Sequence, residues 1–223
     1  VESVALAMNR GCDLNCGNIY GNLLKAVEDG LVEEETITRA VVRLLTTRMK
    51  LGLFDPQDKV PFNAIDYGVV DCEKHRKLNE RAAKKSAVLL KNEDALLPLD
   101  KKAYRTIGVI GPNANNRKAL VGNYEGTASE YITILEGIQA YVGDEVRVLY
   151  SEGCHLCKDR IQGLSQGNDR MSEVRAVADA SDVIIACMGL DASLEGEEGD
   201  EGNEFASGDK PGLNLPGLQE EVL

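Results

Sequence analysis

Three short apolar segments in the second half of the chain constrain its fold more than any other feature. They lie at 106–110, 146–150 and 183–188, and each has the length of a buried strand. Helical patterns separate them, at 133–141 and 171–180. Strands that alternate with helices in this way are typical of an α/β fold, in which helices cover a mainly parallel sheet.

The first half of the chain is predicted to be mostly helical. Apolar residues recur with the helical period at 2–10 and 33–50, and a third helix is predicted at about 72–85. The stretch at 12–16 is interpreted as a short strand. Two prolines and several turn-forming residues at 54–68 indicate a linker.

A loop rich in carboxylates follows the third apolar segment, immediately after Gly189. Its acidic residues are Glu195, Glu197, Glu198, Asp200, Glu201 and Glu204. Mutual repulsion of carboxylates this close together can raise the pKa of at least one of them. Ligands of parallel sheets bind at the carboxyl ends of the strands, where a carboxylic acid with a raised pKa suits general acid catalysis. On these residues alone, a solvated acidic surface loop is the simpler interpretation.

A second motif, Leu-x-Leu-Pro-Gly-x-Gln, occupies 213–219. Together with Gly-Leu-Asp-x-Ser-x-Glu-Gly-Glu at 189–197, it resembles the C-terminal domain of family 3 glycoside hydrolases, the β-glucosidases, β-xylosidases and their relatives. Further segments similar to landmarks of that domain lie at 86–93, 97–99, 107–114, 122–126 and 133–138. The segment at 11–17 is similar to the last strand of the family's catalytic barrel. The segments at 41–45 and 51–56 resemble the barrel's closing helix.

The resemblance implies three parts. Residues 1–55 would be the last strand and helix of a (β/α)8-type barrel, and 56–96 an interdomain linker with a connecting helix. Residues 97–223 would form an α/β sandwich domain, incomplete at its C-terminus. Both ends of the sequence fall within helical patterns, so we expect a segment of a longer protein.

The resemblance also implies an activity. Family members of this type are retaining, exo-acting β-glycosidases that remove terminal xylose or glucose from oligosaccharides during polysaccharide degradation. Xylosidase-like members carry Glu-x-Glu in this loop, which favours β-xylosides as substrates and places the general acid/base at Glu197. Glu198 and Glu195 are the alternatives. The family's closing Asp-Arg pair is replaced by Asp209-Lys210 after a longer intervening stretch.

The other half of the catalytic pair is not expected in this chain. In the family, the nucleophile is an aspartate on a barrel strand that precedes the segment matched by this chain, and no motif in this sequence matches it. Asp13 lies near the predicted barrel strand, but the resemblance places it after the nucleophile, so we interpret it as structural. The isolated segment is therefore expected to be inactive.

Other candidate sites carry less support. Cys154, His155 and Cys157 offer at most three metal ligands, with no second cluster to complete a zinc site. The loop at 108–115 lacks the G-x-G-x-x-G pattern of a dinucleotide site. Tyr124 either lines a sugar site or belongs to an ordinary glycine-rich turn. The chain has two histidines, and neither has a partner at a spacing that indicates a hydrolytic triad.

Charge and composition narrow the class of partner. The 25 basic and 37 acidic residues give a net charge of −12, which disfavours nucleic acid and anionic membranes and suits neutral sugars. No metal or organic cofactor is implied, and the six cysteines leave the compartment open. An oligosaccharide and the remainder of its own polypeptide are the expected partners. The alternative function is a non-catalytic carbohydrate-binding or scaffolding domain.

Overall fold

The computed structural model describes residues 1–122, 126–160, 162–167, 170–194, 210 and 212–223. The chain divides into two compact units, Val1–Leu78 and Asn79–Leu223. The predicted division into the end of a barrel (1–55), a linker (56–96) and a sandwich domain (97–223) stays a prediction. Within the described residues, no helix combines the length and the apolar character that a membrane span requires.

The first unit is built from helices. They are α1 (Glu2–Asn9), α2 (Leu23–Glu28), α3 (Glu34–Lys50) and the beginning of α4 (Glu73–Ser86). Short 3-10 helices connect them, at Ile19–Asn22, Gln57–Lys59, Pro61–Ala64 and Tyr67–Val69. A small core of buried side chains holds α1, α2 and α3 together, consisting of Ala5, Met8, Ala26, Val32 and Ala40.

The strand predicted at 12–16 is wrong, because the first unit, all of which is described, contains no strand. Local contacts occupy the backbone there instead. The carbonyl of Cys12 accepts a hydrogen bond from the Tyr20 hydroxyl at 2.5 Å, and the amide of Gly17 donates to Asn15 Oδ1 at 3.1 Å. An extended segment becomes a strand only when a neighbouring strand satisfies its backbone groups.

The second unit contains a three-stranded parallel sheet, as the α/β prediction requires. Its strands are β1 (Thr106–Ile110), β2 (Arg147–Ser151) and β3 (Val183–Ala186), in the order β2-β1-β3. The fold class is therefore confirmed.

Helices cover both faces of this sheet. Side chains of the central strand β1 alternate between the faces, as the pleat dictates. Ile107 and Val109 pack with α5 (Ile134–Val142), and Ile110 packs with α6 (Met171–Asp179) and α7 (Gln219–Val222). All five residues of β1 are buried, as expected of a central strand between two helical layers.

Asp182 joins the beginnings of two strands. One of its carboxylate oxygens, Oδ2, accepts hydrogen bonds from the amides of Thr106, at 2.9 Å, and Arg105, at 2.7 Å. These bonds hold the pKa of Asp182 below its ordinary value. They align the start of β3 with that of β1, so both strands deliver their following loops to the same edge of the sheet.

Candidate functional site

Three loops leave the carboxyl edge of the sheet and enclose a cavity of about 440 Å³. We call them the β1 loop (111–116), the β2 loop (152–157) and the β3 loop (187–194). The cavity walls include Asn115 and Asn116, His155 and Cys157, and Asp191 and Ser193. Each loop thus contributes polar side chains to one concave surface, at the edge where parallel sheets bind their ligands.

A close approach between two strand ends shapes the β1 loop. Gly111 has a φ of +110°, and a Cβ atom on it would lie 2.5 Å from the carbonyl oxygen of Cys187. Only glycine fits this backbone conformation at such a distance. The amide of Asn113 then donates to the same carbonyl at 3.1 Å, which fastens the β1 loop to the start of the β3 loop.

Three backbone amides of the β1 loop are already engaged in hydrogen bonds. Gly111 donates to Ser151 at 3.1 Å, Asn113 donates to Cys187, and Ala114 donates to Gly111 at 3.2 Å, while Pro112 has no N–H. A dinucleotide loop instead presents free amides to phosphate. This arrangement supports the interpretation that 108–115 is not a nucleotide site.

Asp191 organises the β3 loop through both of its carboxylate oxygens. Oδ1 accepts from the amide of Ser193 at 2.8 Å and from its hydroxyl at 2.5 Å, and Oδ2 accepts from Asn116 Nδ2 at 2.7 Å. Burial acts to raise the pKa of Asp191, but the bonds from Ser193 and Asn116 outweigh it and hold the pKa below its ordinary value. Asp191 is therefore an anionic anchor and not a proton donor.

Leu194 ends the described part of the β3 loop and is fully buried. Its amide donates to the carbonyl of Asp191 at 3.1 Å. The acidic stretch that follows therefore departs from a residue with a fixed environment. Glu195, Glu197, Glu198 and the candidate sugar contact Tyr124 lie outside the described residues.

His155 contributes a ring whose neutral tautomer is set by the β2 loop itself. Its Nδ1 accepts hydrogen bonds from the amides of Cys157 and Lys158, each at 3.1 Å. Because Nδ1 is the acceptor, the neutral ring carries its proton on Nε2. His155 thus has an N–H donor at Nε2, and it is one of the residues that line the cavity.

Cys154 of the β2 loop is unsuited to thiolate chemistry. Burial, reinforced by the charge of Glu152, raises the pKa of Cys154 to about 11. The sulfur of Cys157 lies 3.8 Å from His155 Nδ1, which already accepts hydrogen bonds from two backbone amides. In the described part of the chain, no three His, Cys, Asp or Glu side chains are placed to hold a metal ion.

Asp13, in the first unit, has a structural partner. Arg43 donates to it through two nitrogens, Nε at 2.6 Å and Nη2 at 2.5 Å. The hydrogen bonds from Arg43 lower the pKa of the Asp13 carboxyl. Both carboxylate oxygens are used in linking 12–16 to α3, which supports the structural interpretation of Asp13.

Sequence reasoning missed the contacts of Asn116 and Asp191. Their side chains meet although 75 positions separate them in the chain. The Gly-Leu-Asp motif after β3 indicated that Asp191 belongs to a family motif. It did not indicate that Asn116 is the hydrogen-bond partner of Asp191.

Comparison with protein families gives one match over most of the second unit. Residues 87–223 match the family model described as the glycosyl hydrolase family 3 C-terminal domain.

Individual relatives extend the similarity to the whole chain. Beta-D-xylosidase 1 of Arabidopsis thaliana is 34% identical over 225 residues, which cover 100% of this chain and 26% of that protein. The chain spans about a quarter of the length of the curated relatives that it matches.

Solved structures give the same result for the fold. A family 3 exo-β-xylosidase (XlnD), solved with a xylobiose aziridine probe, superposes with a TM-score of 0.79 and 30% identity, over 98% of this chain and 26% of that one. A β-glucosidase from Erythrobacter marinus superposes with a TM-score of 0.76 and 30% identity, over 99% of this chain and 31% of that one.

Proposed function

The chain belongs to glycosyl hydrolase family 3, and on that premise we propose that it carries the general acid/base loop of a retaining, exo-acting β-glycosidase. The observation that carries the proposal is the β3 loop. It leads from the carboxyl edge of the sheet, through the anchored Asp191 and the buried Leu194, directly into the Glu-rich stretch.

Glu197 is the proposed acid/base. In the first step, its protonated carboxyl would donate to the leaving oxygen of the glycoside, and in the second the carboxylate would accept a proton from the attacking water. Glu198 and Glu195 are the neighbouring alternatives, because they belong to the same run of carboxylates.

The nucleophile is proposed to come from the longer polypeptide. A retaining mechanism needs a second carboxylate roughly 5 Å from the first, on the opposite side of the sugar. Asp13 is paired with Arg43 and Asp191 with Ser193 and Asn116, so neither suits that role.

The proposed substrate is an oligosaccharide or small glycoside that ends in β-linked xylose, with β-linked glucose as the second choice. The Glu-x-Glu pattern and the names of the Arabidopsis relative and of XlnD favour xylose. Glucose is the second choice because the chain is also similar to a β-glucosidase.

The test is Glu197→Gln in the full-length protein, assayed with aryl β-xylosides and aryl β-glucosides whose leaving groups differ in pKa. Loss of general acid catalysis typically costs roughly 10²- to 10⁴-fold. The loss should be largest for poor leaving groups, because activated ones need little protonation to depart.

Glu195→Gln and Glu198→Gln are the matched controls and should keep the leaving-group dependence of the wild type. If the dependence instead steepens at Glu198→Gln or Glu195→Gln, the acid/base role belongs to that residue. If none of the three changes affects turnover, the loop is a solvated surface, and the chain fits a non-catalytic carbohydrate-binding or scaffolding domain.

A further inference from the structure

Gln219, the first residue of α7, connects two of the three loops that form the cavity. Its side-chain oxygen accepts from the amide of Gly189 at 2.6 Å, and its side-chain nitrogen donates to the carbonyl of Gly189 at 2.9 Å. The same nitrogen donates to the carbonyl of Leu156 at 2.6 Å. One amide side chain thus satisfies three backbone groups.

These hydrogen bonds matter for stability because the side chain of Gln219 is buried. Gln219 is 0% exposed, one of the largest fully buried side chains of the described chain. A buried polar group without a hydrogen-bond partner destabilises the fold by the cost of removing it from water. The side chain of Gln219 can therefore stay buried only while its three hydrogen bonds are made. Gly189 and Leu156 therefore keep a defined separation as long as Gln219 is in place.

The approach of α7 to the β2 loop explains the Pro-Gly-x-Gln sequence around this residue. Gly217 has a φ of +60°, and a Cβ atom on it would lie 2.8 Å from the carbonyl carbon of Cys157. A side chain at this position would push α7 away from the β2 loop. Glycine lets the backbone pass close enough for Gln219 to reach Leu156.

The two connected positions lie next to cavity residues. Leu156 is between His155 and Cys157, and Gly189 precedes Asp191 by two positions in the β3 loop. A change in the distance between Gly189 and Leu156 would therefore move the β3 loop relative to the β2 loop, which forms another wall of the cavity.

We propose that Gln219 is a positioning residue: by fixing the β3 loop, it sets where the general acid/base that follows this loop stands relative to the substrate. This rests on the function proposed above. Gln219 does not contact the reacting atoms and acts through Gly189 and Leu156. Misplacement of a catalytic group by about 1 Å can cost roughly 10²-fold in rate.

The first experiment compares Gln219→Met and Gln219→Glu in the full-length protein. Met keeps the length of the side chain and removes all three hydrogen bonds. We expect kcat/KM to fall roughly 10- to 100-fold for glycosides with poor leaving groups. We expect a much smaller loss for activated ones, because misplacement of the acid matters only where protonation is needed.

The Glu variant adds a pH readout that a purely structural role would not give. When protonated, the introduced carboxyl can accept from the amide of Gly189 and donate one hydrogen bond to Leu156 or Gly189. When ionised, it has no donor and faces two carbonyl oxygens. Its loss of kcat/KM relative to wild type should therefore grow as the pH rises, whereas the loss in Gln219→Met should follow no such titration.

Val222→Ala is the matched control. Val222 lies on the same short helix and is buried against Ile110, Val174 and Val177, and its side chain makes no hydrogen bond to either loop. The change should lower the midpoint of thermal unfolding without steepening the leaving-group dependence. Equal steepening in Val222→Ala and Gln219→Met would overturn the proposal, because general destabilisation would then explain both.

Amide hydrogen exchange separates this proposal from the proposed function. In Gln219→Met, peptides that cover 152–157 and 187–194 should exchange faster, and in Glu197→Gln they should exchange as in the wild type. Unchanged exchange in Gln219→Met would refute the positioning role, whatever Glu197 does. If Glu197→Gln shows no leaving-group effect while exchange rises in Gln219→Met, the proposed acid/base is wrong and the connection between the two loops stands.

Discussion

At the scale of single residues, Asp191 determines how the chain leaves the sheet towards the acidic stretch. Its two oxygens accept three hydrogen bonds, two from Ser193 and one from Asn116. The amide of an asparagine could accept from Ser193, but its NH₂ would then face the NH₂ of Asn116. One donor on each side would lose its partner.

Asp191→Asn should therefore lower the free energy of unfolding by about 1 kcal/mol, the usual net contribution of a hydrogen bond, because these groups are only partly buried. The measurement is chemical denaturation of wild type and variant at pH 7. Asp144→Asn, in the exposed 3-10 helix Gly143–Glu145, is the matched control and should change stability little. Equal effects of the two changes would contradict the anchoring role.

The same comparison has a defined pH dependence. The pKa of Asp191 is lower in the folded protein than the ordinary value of 3.8. The stability contributed by the carboxylate is therefore present above pH 3.8 and is lost as the pH falls through the lowered pKa. The difference in unfolding midpoint between wild type and Asp191→Asn should shrink below pH 3.8. A difference that grows on acidification would contradict this assignment.

Residue-scale contacts were the least predictable part of the site. The sequence places Asp191 and Gln219 in recognisable motifs, but it does not indicate that they meet Asn116 and Gly189. Such bonds depend on how the strands bring distant loops together, and hydrophobic periodicity carries no information about individual polar partners. The acid/base assignment among Glu195, Glu197 and Glu198 stays a prediction for a similar reason, since neighbouring carboxylates have the same chemistry.

At the scale of elements, periodicity was a good guide wherever an apolar face packs on a core. β1 lies at the predicted 106–110, and α5 and α6 lie within one residue of the predicted helices. β3 ends two residues earlier than predicted, and the carbonyl of the next residue, Cys187, accepts a hydrogen bond from the amide of Asn113 in the β1 loop. The strand predicted at 12–16 failed because a strand depends on a partner that local pattern does not reveal.

Two glycines with different surroundings test this description of the elements. Gly111→Ala adds a Cβ atom 2.5 Å from a backbone oxygen at a positive φ, so it should cost about 1 to 3 kcal/mol or more. Gly137→Ala lies inside α5, where the nearest atom to the new Cβ is 3.8 Å away, and should stabilise by about 0.5 to 1 kcal/mol. Denaturant unfolding of both variants measures the change in the free energy of unfolding. A change of the same sign in both variants would contradict the different surroundings of the two glycines.

At the scale of the whole molecule, the chain corresponds to one portion of the length of its family 3 relatives. It covers about a quarter of its curated relatives, and large apolar side chains are exposed within 54–90, including Tyr67, Leu89 and Leu90. Exposed apolar surface of this kind is typical of regions that contact other protein segments.

The isolated 223-residue chain should therefore be catalytically silent, because the proposed mechanism takes its nucleophile from elsewhere in the polypeptide. The assay is hydrolysis of activated aryl β-xylosides by the purified chain, with circular dichroism to establish that it is folded. Rates close to those of the full-length protein would show that both catalytic carboxylates lie within these residues, and would refute a nucleophile from outside them.

The most direct test of the central claim is the product that the full-length Glu197→Gln variant forms in the presence of azide. In a retaining mechanism, the glycosyl-enzyme persists when the general base is missing, and a small anion can attack it without base assistance. With an activated aryl β-xyloside, nuclear magnetic resonance should identify β-xylosyl azide, together with an increased rate of turnover. Neither Glu195→Gln nor Glu198→Gln should form it. Absence of the azide adduct from Glu197→Gln, or its formation by one of the other two variants, would contradict the assignment of Glu197 as the acid/base.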